Sequence, residues 1–192
     1  MTSTDAPIRL LGISGSLRKG SHCTAVLRTL ADRAGELATI TLFPLNDVPL
    51  YDQDLDTATP PAAVAALKQA IAEADGLIVI TPEYNYGISG VLKNALDWAS
   101  RPAMKSPMVG KPALIASASM AFTGGARAQA QLRETLAATM ARPIARPQVV
   151  VPAVHEKVKD GVLVDEAAIT FALGAIGDLV QEVRMLRLAR GA

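Results

Sequence analysis

Residues 8–30 read IRLLGISGSLRKGSHCTAVLRTL, an apolar run that stops at a loop of serines, glycines and cations and then resumes with a helical period. The run over 8–13 is short and rich in Ile and Leu, which suits a buried strand. From Thr24 onward, Leu27, Leu30, Ala31 and Ala34 share one helical face. The loop over 14–21 therefore joins the end of a strand to the start of a helix. Free backbone N–H groups and the positive helix end converge there, and small residues let a ligand come close. Such a geometry selects an anion. Ser14, Ser16 and Ser21 can add hydroxyl donors, and Arg18 can offer a planar fork to phosphate oxygens.

Other phosphate loops do not match. Gly15 and Gly20 have the spacing of GxxxxGK[ST], but Ser21 stands at the lysine position and Lys19 lies on the wrong side of Gly20. Gly12 and Gly15 are not followed by the third glycine of GxGxxG. A Cys-x5-Arg phosphatase loop ending at Arg18 would need its nucleophile at Gly12. The bland alternative is a tight turn that Ser21 merely caps. Arg18 and Lys19 inside that turn argue for a ligand instead.

Working outward, β-rich runs alternate with helical patterns. Strands are expected over 8–13, 38–43, 76–81, 113–119 and 148–151, and helices from 24, over 62–74 and 91–99, from Gly124 and Gly125 to about 140, and over 165–188. The proline- and aspartate-rich stretch between Phe43 and Ala62 is expected to lack regular structure. Five strands alternating with five helices imply a parallel sheet with right-handed crossovers and helices on both faces. In the order 2-1-3-4-5 the ligand crevice lies between strands one and three, so the loops after Ile13 and Thr81 should face one another.

Composition limits the function. The 192 residues are 50% hydrophobic with a net charge of +1, which fits one domain over 1–192, with about residues 1–6 as a flexible N-terminus. Nucleic-acid binders draw affinity from a strong positive charge, so no nucleic-acid partner is expected. A single cysteine, Cys23, excludes an intrachain disulfide, and two histidines without metal-ligand spacing point to no metal site. No basic leader precedes an apolar core, and no apolar run nears the roughly 20 residues a membrane span needs. The expectation is a soluble cytoplasmic protein with small-molecule partners.

The second loop, PEYNYGISG from Pro82, follows the most continuous apolar strand. It combines a rigid proline, an asparagine, two tyrosines and two glycines, which can present backbone groups edge-on to a flat heterocycle with Tyr84 or Tyr86 near its face.

Taken together, GSLRKGS at 15–21, VPLYDQDL at 48–55, TPEYNYGISGVLKNALDWASRP at 81–102, GKP at 110–112 and ARAQ at 126–129 resemble the NAD(P)H-dependent FMN reductases, especially the quinone and chromate reductase branch. The resemblance spans almost the whole chain. It implies an α/β flavodoxin-like three-layer sandwich with a five-stranded parallel sheet. It places Ser16, Arg18 and Ser21 on the FMN phosphate, Pro82, Glu83, Tyr84, Asn85 and Tyr86 along the isoalloxazine, and Ser117 at a third flavin contact. Two departures stand out. His22 and Cys23 replace an aromatic and an Asn, and SASMAFTGG puts Met120 and Ala121 where the family has a more flexible GASxGxxGT.

The resemblance implies chemistry carried by FMN rather than by a catalytic side chain, with NADPH or NADH as hydride donor and ping-pong kinetics. Acceptors would be quinones, free flavin, azo compounds or oxidised metal ions such as chromate. It also implies a homodimer or homotetramer, with Arg127 and Gln129 in oligomer contacts. The alternative from another class is a non-enzymatic flavodoxin-like electron carrier, which balanced charge disfavours, since such carriers dock through an acidic face. Cys23 reads as a small buried residue, Lys93 and Asp97 as a surface ion pair, His155 as solvated, and Arg184, Arg187 and Arg190 as an exposed basic stripe.

Overall fold

Strand β1 (Arg9–Ser14) ends where the serine-rich loop begins, and helix α1 (His22–Arg33) starts where it stops. The computed structural model describes residues 6–191, so the flexible-terminus expectation for residues 1–5 falls outside the described residues. The chain continues through β2 (Thr39–Phe43), α2 (Ala62–Glu73), β3 (Gly76–Thr81), α3 (Gly90–Ala99), β4 (Pro112–Ala118) and α4 (Ala126–Ala138). It closes with β5 (Arg142–Pro143), β6 (Val149–Val151), a one-turn helix α5 (Val154–Lys157), the hairpin β7 (Val158–Lys159) and β8 (Val162–Leu163), and the long α6 (Glu166–Gly191).

The parallel sheet runs β2-β1-β3-β4, with β5 and β6 both on the far side of β4, so the expected order 2-1-3-4-5 holds. Every residue of β3 and β4 is buried, because helices cover both faces. Alternation along β3 divides the core. Ile78 and Ile80 join Leu27, Leu30, Ile176 and Leu179 beneath α1 and α6. Leu77 and Val79 face the other way and join Leu67, Leu92, Trp98 and Leu132 beneath α2, α3 and α4. Each fully buried Leu or Ile stabilises this arrangement by about 1.5–3 kcal/mol relative to exposure.

The fifth strand position differs from expectation. It consists of two pieces, β5 beside Pro112 and Ala113 and β6 beside Ala116–Ala118. Pro143 and Pro147 lack the amide a continuous ladder needs, so the chain leaves the sheet between them. The stretch between β2 and α2 contains one 3₁₀ turn (Gln53–Leu55) and is tethered to α3. The Pro49 carbonyl accepts from Asn94 Nδ2 at 2.8 Å and from Trp98 Nε1 at 2.9 Å.

The C-terminal stripe also needs correction. Arg187 bonds Asp75 at 2.8 Å and the Ala6 carbonyl at 2.7 Å, so it fastens α6 to the bottom of the sheet rather than lying free. Arg184 is exposed, and the Arg190 side chain lies outside the described residues. Lys93 and Asp97 form the expected i,i+4 pair at 2.7 Å. Among the described residues no helix is long and apolar enough to cross a membrane.

Candidate functional site

Three loops leave the sheet at the same end. In the first, Ser21 caps α1, its Oγ accepting from the Thr24 amide at 3.1 Å while its own hydroxyl proton stays available. The amides of Ser16, Leu17, Arg18, Lys19 and Gly20 bond to nothing else among the described residues. Arg18 is exposed and donates from Nη2 to the Gly20 carbonyl at 2.9 Å, leaving most of its guanidinium donors free. Ser14 is placed differently. Its Oγ accepts from Thr24 Oγ1 at 2.8 Å on the other side of the loop.

The second loop is braced throughout. Tyr84 and Gly87 exchange backbone bonds of 3.0 and 2.9 Å around Asn85 and Tyr86, whose φ angles are +50° and +66°. This is a two-residue hairpin turn with both central residues left-handed, a conformation that costs about 1–2 kcal/mol per non-glycine residue. Contacts from α4 hold it. Glu83 Oε2 accepts from the amides of Arg127 and Ala128, both at 3.0 Å, and Gln131 Oε1 accepts from the Ile88 amide at 2.7 Å. The Arg127 guanidinium lies 4.0 Å over the Tyr86 ring. Glu83 is therefore the N-terminal cap of a helix whose Ncap, Gly125, has no side chain of its own to offer.

The two loops meet, as the strand order requires. Ser89 Oγ donates to the Gly15 carbonyl at 2.6 Å, and the Gly15 amide donates to the Ile80 carbonyl at 2.8 Å. A Cβ on Gly15 would lie 3.0 Å from Pro82 Cδ and 3.1 Å from Ser89 Oγ, so the absence of a side chain permits this approach.

Between them lies a cavity of about 220 Å³. Ser16, Arg18 and Ser21 reach it from the first loop and Pro82, Glu83 and Tyr84 from the second. Ala118, Ser119 and Met120 close it from the third loop, with His22, Cys23 and Val154 behind. Asn85 and Tyr86 do not line it and are exposed, Tyr86 at 70%. Ser117 does not reach it, because its fully enclosed Oγ donates to the Gly124 carbonyl at 2.7 Å and accepts from Gln129 Nε2 at 2.8 Å. The sequence reading missed Ser119 and Val154. The departures at His22, Cys23 and Met120 had drawn attention to neighbouring positions.

The charged side chains on the cavity wall are Arg18 on the first loop and Glu83 on the second. His22 is held below the usual histidine range by burial first, then by Arg18 and His155, so it is neutral at neutral pH. Burial pushes the Cys23 thiol up to about 12, although its Sγ reaches the Ala118 carbonyl at 3.6 Å. Cys23 is thus an inert packing residue. Glu83 is the one carboxylate on the wall, and its Oε2 is engaged by α4. A group with a phosphate at one end and a flat ring at the other fits this donor set and shape.

The sequence profile of the NADPH-dependent FMN reductases matches residues 8–156. This chain belongs to that family. Its cofactor is FMN, its hydride donor NAD(P)H, and it is an oxidoreductase. An NAD(P)H-dependent FMN reductase of Pseudomonas aeruginosa is 40% identical over 181 residues, covering 94% of this chain and 97% of the relative. A quinone reductase of Escherichia coli is 38% identical over 185 residues, covering 93% and 98%. FerB, a flavoenzyme NAD(P)H:(acceptor) oxidoreductase from Paracoccus denitrificans, superimposes with a TM-score of 0.80 at 30% identity, covering 93% of this chain and 98% of that one. These likenesses agree with the flavodoxin-like expectation. They do not extend to Gln129 in an oligomer contact, since that side chain is fully buried and bonded to Ser117 and Val149.

Proposed function

We propose that this protein reduces quinones with NADPH or NADH, holding FMN between its first and second loops. The observation that carries the reading is the meeting of those loops at Gly15, with unbonded amides and Arg18 on one side and a braced aromatic turn on the other. Ser16, Arg18 and Ser21 hold the phosphate, the helix end adding its field. The backbone of residues 82–86 borders the ring, and Ser14 and Ser117 support the two walls from behind.

Bound FMN supplies the hydride-accepting and electron-donating chemistry. The chain supplies position and fixed dipoles, and no side chain is asked to move a proton. Neutral His22 adds no second positive charge beside Arg18 at neutral pH. Tyr84 and Met120, which line the cavity, are 55% and 59% exposed, so the mouth is lightly guarded. An open mouth of this kind suits donor and acceptor using one face in turn, hence ping-pong kinetics, and admits azo compounds, free flavin or chromate besides quinones. The same exposed apolar side chains support a homodimer or homotetramer closing over the mouth in a cytoplasmic enzyme.

Anaerobic mixing with NADPH tests this reading. The yellow colour of the FMN-loaded protein is expected to bleach on mixing and to return on adding benzoquinone. Colour that neither nucleotide bleaches, but a reduced protein donor does, would make the chain an electron carrier instead.

A further inference from the structure

On the other side of the 14–21 loop lies a second cavity, of about 320 Å³, which shares Ser16 and Arg18 with the first. Arg18, Lys19 and Arg28 reach it, and no carboxylate lines it. Neither Lys19 nor Arg28 has a hydrogen bond or ion pair among the described residues, although most of the described arginines are engaged elsewhere in the fold. With Arg18 given to the flavin phosphate, Lys19 and Arg28 remain without counter-ions at this cleft, repel each other and gain most from a second, multiply charged anion. The back wall is apolar, built from Leu27, Leu42, Phe43, Pro44 and Leu45, and Asn46 stands at its edge. The Ser14–Thr24 hydroxyl pair opens onto this side as well.

An apolar wall beside a cationic rim suits a planar base carrying a phosphomonoester. We infer that this cleft receives the adenosine 2′-phosphate of NADPH, with Lys19 and Arg28 as its specificity-determining residues. The inference rests on the FMN reading given above, since the shared wall at Ser16 and Arg18 lets one extended dinucleotide pass from the flavin cavity into this one. NADH lacks the 2′-phosphate and leaves the two cations unsatisfied, so it forgoes their charge-assisted contacts. Both cations sit at an exposed rim, which limits the effect of each to about tenfold.

The test uses FMN-loaded protein and two probes, 2′,5′-ADP and 5′-AMP, titrated by calorimetry. The 2′,5′-ADP is expected to bind at least tenfold tighter than 5′-AMP. Arg28→Glu should weaken 2′,5′-ADP about tenfold while moving 5′-AMP less than twofold, and Lys19→Glu should act in the same direction. Arg28→Lys should recover most of the loss. In steady state the same Arg28→Glu variant should raise the KM for NADPH about tenfold and shift that for NADH less than twofold. Equal affinity for the two probes, or equal weakening of both by Arg28→Glu, overturns the assignment. If that happens in protein that still holds FMN and bleaches with NADH, the functional reading stands and this inference alone falls. If FMN does not load, both fall.

Discussion

The loop over 14–21 and the turn over 82–89 lie side by side and are built on opposite plans. In the first, five consecutive amides and most of the Arg18 guanidinium are left without partners among the described residues. In the second, the left-handed pair Asn85 and Tyr86 is fastened by Glu83, Gln131 and Arg127, all through α4. The difference teaches how the site divides its labour. Unbonded donors are costly only when buried. At a helix end they can wait for an anion, whereas a planar ring needs an edge that does not move. Stability is therefore concentrated in the second loop and ligand affinity in the first.

Substitutions can break that division. The largest expected effect is from Gly125→Ala, at the start of α4. Its φ is +87°, and an added Cβ would lie 2.9 Å from Ser117 Cβ, so left-handed strain and overpacking together should cost about 3 kcal/mol. Urea denaturation measures it. Glu83→Ala removes the cap of α4 and a brace of the turn at once, with an expected loss of about 1–2 kcal/mol. Gln131→Ala removes only the bond to the Ile88 amide and should cost about 1 kcal/mol. By contrast, Arg18→Ala should leave the urea midpoint nearly unchanged, since that side chain bonds only a neighbouring loop carbonyl.

The smallest effect concerns His22. Burial and Arg18 hold its folded-state value below the unfolded one, so acidification through the usual histidine range protonates the unfolded chain first and removes stability. A bound phosphate offsets the field of Arg18 and should raise the His22 value. Imidazole NMR titration with and without FMN checks the direction, and a downward move contradicts it.

Much of the site was legible because its first loop is a local object. A strand, a loop of eight residues of which seven are small or cationic, and a helix in sequence already determine where the amides at 16–20 point. The second loop was only half legible. Glu83 resembles a ring-lining residue, yet its partners lie 44 and 45 positions away on α4, and no local pattern encodes that pairing. The placement of the Ser117 side chain was hidden for another reason. All of β4 is buried, so polar–apolar alternation could not tell which of its residues face the cavity. The broken fifth strand was hidden because Arg142–Pro143 is too short to show a period, and Val154 sits on a single helical turn.

Fluorescence titration of the apoprotein with FMN and with riboflavin, which lacks only the phosphate, tests the central claim most directly. The account predicts that FMN binds at least a hundredfold tighter than riboflavin, and that Arg18→Ala narrows the gap at least tenfold while riboflavin affinity stays within twofold. Equal affinities for the two flavins, or a gap that Arg18→Ala leaves intact, would contradict it.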